Sequence, residues 1–158
     1  MSKAIVPISG GIDSSVVLKL AAEAGHEIHA VSYDYGQRHD KELTCAGLQT
    51  SNTECITHQY IHLDFFADIV PTSALTNNDI DVAKTKDVLG DPQTVNYVPN
   101  RNMMLLSICT AYAEAVGADV VYHGAALVDS QAGFWDGSKE FLDAINNVNA
   151  LNRKCRIE

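Results

Sequence analysis

Seven consecutive residues, Ser9-Gly10-Gly11-Ile12-Asp13-Ser14-Ser15, carry three hydroxyls, a carboxylate and two glycines. They follow the apolar run Ala4-Ile5-Val6-Pro7-Ile8 and precede an amphipathic run from Val16 to Ala24. Strand, glycine-rich turn and helix start form the geometry of a phosphate cradle. Glycines let the backbone approach an anion with no side chain in the way, and the free N–H groups and positive dipole of a helix start attract its charge. The Ser9, Ser14 and Ser15 hydroxyls add donors. A plain Gly-Gly turn with a Ser or Asp cap explains any one of these residues but not all of them in this setting.

The spacing excludes two common phosphate sites. There is no G-x-x-x-x-G-K-[ST] and no G-x-G-x-x-G. The pattern S-G-G-x-D-S instead resembles the PP-loop of ATP pyrophosphatases, which split ATP between its α and β phosphates. In that family the loop holds the pyrophosphate end of ATP.

The elements that must position such a loop are legible as alternating apolar strands and helical segments. Ile28 to Tyr33 reads as a second strand, Lys41 to Gln49 as a helix, Cys55 to Leu63 as a third strand and Asn102 to Val116 as a long buried helix. Val120-Val121-Tyr122-His123 supplies another strand, closed by Gly124, and Lys139 to Leu151 another helix. The alternation predicts an α/β fold, a parallel sheet with helices on both faces, in one domain spanning residues 1–158. Ligands of such sheets bind at the carboxyl ends of the strands, where these motifs fall. The polar stretch from Thr72 to Asn96 reads as a long mobile loop over that edge, in the position of a lid.

Composition bounds the function. With 158 residues, 46% of them hydrophobic, the chain can bury one core. No apolar stretch reaches membrane-spanning length and no signal peptide is written at the N-terminus, so the expected location is cytoplasmic. A net charge of −9 with only 11 Lys and Arg argues against a large nucleic-acid footprint. Cys45, Cys55, Cys109 and Cys155 form no C-x-x-C pair and read as reduced, mostly packed thiols. His58 and His62, four apart, fall on a strand pattern with no third ligand nearby, and no resident metal ligand set is expected from them. Met103, Met104, Leu105, Leu106 and Ile108 read as core-facing helix with Cys109 among them. Asp79 and Asp81 read as solvated loop carboxylates.

Two further motifs sit at the expected site. Asp34-Tyr35-Gly36-Gln37-Arg38-His39 is either a substrate loop carrying an amide, a cation and an imidazole or a polar turn before a helix. Tyr97-Val98-Pro99-Asn100-Arg101-Asn102 offers Asn102 as a helix cap and Arg101 as a bidentate phosphate ligand; the alternative is an ordinary capped start with a solvated Arg.

Taken in order, SGGIDS, DYGQRH, YVPNRN and VVYHGAALVDSQAGFWDGSKEF resemble the 7-cyano-7-deazaguanine synthase family, the QueC-type ligases, from Lys3 to the last residue. The resemblance implies a Rossmann-like adenine nucleotide alpha-hydrolase fold. It also implies an ATP-dependent conversion of 7-carboxy-7-deazaguanine and ammonia, through an adenylated carboxylate and an amide, to the nitrile preQ0. ATP and Mg²⁺ are the expected cofactors. Ile8, Ser9, Gly10, Gly11, Ile12, Asp13, Ser14, Ser15, Arg101 and Gly124 are the expected ATP-binding residues. Asp13 either organises the metal or its waters or braces the loop by accepting backbone N–H bonds. Arg38, His39 and Asp129 are catalytic candidates beside Asp13 and Arg101, and Tyr35, Gln37, Arg38, His39, Asp129, Phe134, Trp135 and Asp136 are the substrate set, with Phe134 or Trp135 stacking on the heterocycle.

Departures are equally specific. Where relatives usually read Asp-x-Ser-Gly-Tyr-Pro-Asp-Cys-Arg, this chain has Gly137 and Ser138 in place of the Cys-Arg pair, which opens the acceptor to question. Family members continue past a strand expected to begin at Cys155-Arg156-Ile157-Glu158 and carry a cysteine cluster for structural zinc, whose ligands this sequence lacks. The expected partners are small molecules, with no nucleic acid or membrane, and a homodimer or a second chain that completes the fold. Three readings follow: the nitrile-forming ligase, a PP-loop ligase with another acceptor, and an ATP-binding module not competent alone.

Overall fold

The structure is a computed structural model and describes residues 1–36, 40–77, 79–83, 94–126, 130, 133–152 and 155–157. Four strands, β1 (Lys3–Pro7), β2 (Glu27–Asp34), β3 (Thr57–His62) and β4 (Val120–Val121), form one parallel sheet in the order β3-β2-β1-β4. Between them run α1 (Ile12–Glu23), α2 (Asp40–Ser51), α3 (Asp64–Ile69) and α4 (Arg101–Val116); a 3₁₀ turn (Trp135–Gly137) and α5 (Lys139–Asn149) follow β4. Alternation along the strands separates two cores. Val6, Ile28 and Ala30 pack against Leu18 and Ala21 of α1 and Ala46 of α2. Ile5, Val31 and Tyr33 meet Cys109 and Ala113 of α4 on the opposite face. Helices therefore cover both faces, as the alternation predicts. Among the described residues no helix is long and apolar enough to cross a membrane.

The differences from expectation lie at element ends. The third strand is shorter than Cys55 to Leu63, because Leu63 turns the chain into α3, which buries Phe66. Six residues are too few for a helical period to stand out in sequence. The last strand stops at Val121. Tyr122 still donates to Ile5 O (2.9 Å), after which the chain leaves the ladder. Among the described residues no strand begins at Cys155: residues 155–157 are irregular, and Ile157 is buried in the core. The α4 helix begins at Arg101, not Asn102, behind a left-handed Asn100 (φ 54°) that makes no side-chain cap bond. The Thr72 to Asn96 segment is described only in part, residues 78 and 84–93 lying outside the described residues.

What holds the loop after β1 is a close approach to α2. Gly10 adopts φ +85°, and a Cβ there would collide with the Glu42 carbonyl oxygen and lie 2.9 Å from Cys45 Cβ and 3.0 Å from Ala46 N. Gln49 Nε2 donates to the Gly10 carbonyl at 3.1 Å. Two residues earlier, Ser32 Oγ donates to Ile8 O at 2.7 Å. That uses the hydroxyl's one hydrogen, so His58 Nε2 is the donor in its 2.8 Å bond to Ser32 Oγ. His58 Nδ1 lies 2.9 Å from Thr50 Oγ1 on α2. Loop, sheet and α2 are thus joined by one polar chain, and His58 is a structural residue of that chain.

Two consequences are measurable. Gly10→Ala forces both a left-handed alanine and a backbone collision, so stability should fall by roughly 2–4 kcal/mol, read as the urea midpoint. Burial lowers the pKa of His58, and burial is also the largest cause at His29, partly offset by Glu27 and reinforced by Lys3. A depressed histidine pKa means the unfolded chain binds protons that the folded chain refuses. The stability is present above about pH 6.5 and is lost as pH falls below it. The urea midpoint should therefore decline from pH 7.5 to pH 5.5, with a shallower slope in His58→Gln.

Candidate functional site

At the carboxyl edge of the sheet lies a cavity of about 710 Å³. It opens where the chain order reverses, between the loops that follow the neighbouring strands β1 and β4, the crevice in which open α/β sheets bind ligands. One wall is Ile8 and Ser9 with Asp13 and Ser14 of α1, faced by His123, Gly124 and Ala125. Tyr33 and Tyr35 come from β2 and the turn after it; Arg101, Asn102, Leu105 and Leu106 come from α4. Phe134, Asp136 and Gly137 close the remaining side.

The first wall is a set of unspent main-chain donors. Within the loop, Ser9 N donates to Ser14 Oγ (3.2 Å), Gly11 N to Ser9 Oγ (3.3 Å), and Ser14 Oγ and Ser15 Oγ to Gly11 O (3.1 and 2.6 Å). These bonds shape the turn. The N–H groups of Ile12, Asp13 and Ser14, orphaned by the start of α1, find no acceptor among the described residues. Asp13 makes no hydrogen bond to the loop either, so it does not brace it. Gly124 passes beside these amides: a Cβ there would sit 3.7 Å from Ser14 N and 3.6 Å from Val17 Cγ2. A methyl fits, but a larger side chain would stand over the donors.

Arg101 supplies the cation. Its Nη1 donates to Tyr35 Oη at 3.5 Å and its Nε to Asn102 Oδ1 at 3.3 Å, both long, and no carboxylate among the described residues pairs with it. Asn102, offered by the sequence as a cap, instead positions the guanidinium from inside the first turn. Beneath, Tyr33 Oη donates to Leu105 O (2.9 Å) and contacts Cys109 Sγ (2.9 Å). Burial raises the Tyr33 pKa far out of reach and pushes the Cys109 thiol up to about 11, so neither ionises near neutral pH. The floor is inert.

The 3₁₀ turn is held from two sides. Trp135 Nε1 donates to Tyr97 Oη at 3.1 Å, and the indole meets Phe141 edge to face at 5.4 Å. Ser138 caps α5, accepting from Phe141 N (3.1 Å) and donating to Trp135 O (2.7 Å). The serine that stands in place of the usual arginine is therefore committed to a helix start.

Of the expected site residues, Ile8, Ser9, Asp13, Ser14, Tyr35, Arg101, Gly124, Phe134 and Asp136 line this one cavity. Gly10 lies behind the loop on α2; Gly11 and Ser15 are used in turn bonds; Ile12 keeps its side chain 83% exposed; Trp135 is on the outer side of its turn. Gln37, Arg38, His39 and Asp129 lie outside the described residues. Sequence reasoning missed Tyr33 and His123, although both sit at or just beyond strand ends, where the crevice rule would find them. It also missed Glu42, Leu105 and Leu106, whose helical spacing signals only a packed face. The four cysteines are free, and no His, Cys, Asp or Glu group of three or more among the described residues is placed to hold a metal.

Comparison with known proteins agrees with this geometry. Solved structures with the same fold include an NH3-dependent NAD synthetase from Campylobacter jejuni, in complex with nitrate ion (TM-score 0.56, 15% identity, 85% of this chain and 52% of that one). A glutamine-dependent NAD+ synthetase from Acinetobacter baumannii, in complex with ADP, gives a TM-score of 0.58 at 15% identity over 96% of this chain and 30% of that one. Among curated proteins, the 7-cyano-7-deazaguanine synthase of Clostridium kluyveri is 39% identical over 100% of this chain and 68% of its own length. That of Oceanobacillus iheyensis is 38% identical over 92% of this chain and 64% of its own. The chain thus spans about two thirds of the length of these relatives. The family model described as "Queuosine biosynthesis protein QueC" matches residues 3–158. With nearly every residue inside that match and the PP-loop at the sheet's switch point, the chain belongs to the QueC family.

Proposed function

We propose that this chain forms the ATP-using site of a ligase that converts 7-carboxy-7-deazaguanine and ammonia to 7-cyano-7-deazaguanine, releasing AMP and pyrophosphate. The observation that carries the reading is the row of unengaged N–H groups at Ile12, Asp13 and Ser14, set in the same cavity as the unpaired Arg101 guanidinium. A pyrophosphate leaving group needs donors and positive charge where its negative charge develops, and prearranged groups supply both without reorganisation.

The chemistry runs in balanced steps. A carboxylate oxygen attacks the α-phosphorus of ATP, the bond to the β-phosphate oxygen breaks, and pyrophosphate departs against the loop amides and Arg101. Ammonia then attacks the acyl carbon, AMP leaves with the oxygen, and the amide remains after loss of a proton. A second ATP adenylates the amide oxygen, and its departure as AMP with loss of the N–H protons leaves the nitrile. The residues fit a Mg²⁺ ion to the extent that Asp13 offers an exposed carboxylate with no bond to its own loop; a bound ion would add charge neutralisation on the phosphates. Substrate for adenylation enters from the side of Phe134 and Tyr97, whose rings suit a flat heterocycle.

The direct test is mass spectrometry of the chain incubated with ATP, Mg²⁺, ammonium and 7-carboxy-7-deazaguanine. Nitrile with AMP is expected; ATP left intact under those conditions overturns the reading, and AMP with product arrested at the amide points to another acceptor or second step. In the same assay Arg101→Ala should slow AMP release by roughly 100-fold, the scale of losing one electrostatic stabiliser of a transition state. Gly124→Ala should bind ATP within about threefold of the parent, whereas Gly124→Leu, standing over the Ser14 amide, should weaken ATP binding by about tenfold or more.

A further inference from the structure

The same cavity holds a second charge that has no partner among the described residues. Asp136 is only 4% exposed, lines the cavity, and makes no hydrogen bond or ion pair among the described residues. A carboxylate in a cavity wall with no protein donor among the described residues is available to accept from a ligand that brings donors. The turn that carries it does not yield: Trp135 on one side is bonded to Tyr97, Ser138 on the other caps α5, and Gly137 is buried beside it. Among the described residues no His, Cys, Asp or Glu cluster of metal-ligand size forms around it. The lining of the cavity includes apolar and aromatic side chains, Phe134, Leu75 and Val82 among them, beside polar ones such as Asn96 and Tyr97. That combination suits a flat, neutral ring.

We propose that Asp136 is the specificity-determining residue for the heterocycle: its two carboxylate oxygens accept from an adjacent ring N–H and exocyclic NH₂, the donor-donor edge of a 2-amino-pyrimidin-4-one such as a guanine-type base. A carboxylate matches two parallel N–H donors in spacing and gains charge-assisted strength from both. A base lacking the 2-amino group leaves one oxygen buried and unpaired, and a base with acceptors on that edge is repelled. The assignment rests on the function proposed above and names what that site reads.

Isothermal titration of the full chain tests it with 7-carboxy-7-deazaguanine and the analogue without the 2-amino group. The analogue should bind on the order of 10- to 100-fold more weakly, the range for a lost hydrogen bond to a charged acceptor. Asp136→Asn, near-isosteric but presenting a donor to a donor, should narrow that ratio to within about threefold while ATP titrates as in the parent. Equal binding of the two bases by the parent chain, or an unchanged ratio in the variant, overturns the assignment, and so does binding of neither base. A third ligand, 7-deazaguanine without the carboxylate, separates this assignment from the function. An Asp136-dependent preference for it over its 2-deamino analogue, with no product from the carboxylate, would sink the ligase reading and leave the edge assignment standing. Nitrile formed equally well from both carboxylates would do the opposite.

Discussion

The backbone of Gly10 touching the backbone of α2 is the constraint on which the carboxyl edge of the sheet depends. Because no Cβ fits between Gly10 and Glu42, the loop takes a left-handed turn there, and that turn aims the start of α1 across the end of β1. The orphaned amides of α1 then face the cavity instead of solvent. From the other direction, Ser32, His58 and Thr50 tie the Ile8 carbonyl to β3 and α2, so the loop is fixed both before and after its glycines. A hydrogen-bonded chain of this kind is rigid only when every member is satisfied.

The site that results is divided by charge. The loop amides and Arg101 line the same cavity as Asp136, which has no partner among the described residues. In most cavities a nearby cation and carboxylate would pair and annul each other; here Arg101 is drawn toward Tyr35 and Asn102, while Asp136 is held on a turn locked by Trp135 and Ser138. Tyr97 mediates between them, since its hydroxyl receives the Trp135 indole and, at 3.4 Å, the Asn100 amide just ahead of Arg101.

Much of this was legible in the residues. SGGIDS specified the loop because glycines and hydroxyls at a strand-to-helix junction have few other uses, and the alternation of apolar strand-like runs with helical segments specified a sheet covered on both faces. What sequence could not supply came from contacts distant along the chain. Nothing local says that Gly10 needs α2 thirty residues on, or that His58 serves a hydroxyl chain. The cap at Asn102 was misread because an asparagine two residues earlier takes the left-handed position instead, a choice set by where Tyr97 and Pro99 deliver the backbone. Short elements failed for a different reason: six residues of α3 and two of β4 hold too little periodicity to outweigh their neighbours.

The Cys109 thiol beneath the cavity bears on how the molecule ages. With its proton retained to about pH 11 and its sulfur buried against Tyr33, it has almost no thiolate to offer oxidants, electrophiles or disulfide exchange. Cys45, exposed on α2 at the point where Gly10 approaches, has no such protection. An adduct on Cys45 would therefore form beside the backbone approach of Gly10 to α2, whereas Cys109 in the core is shielded.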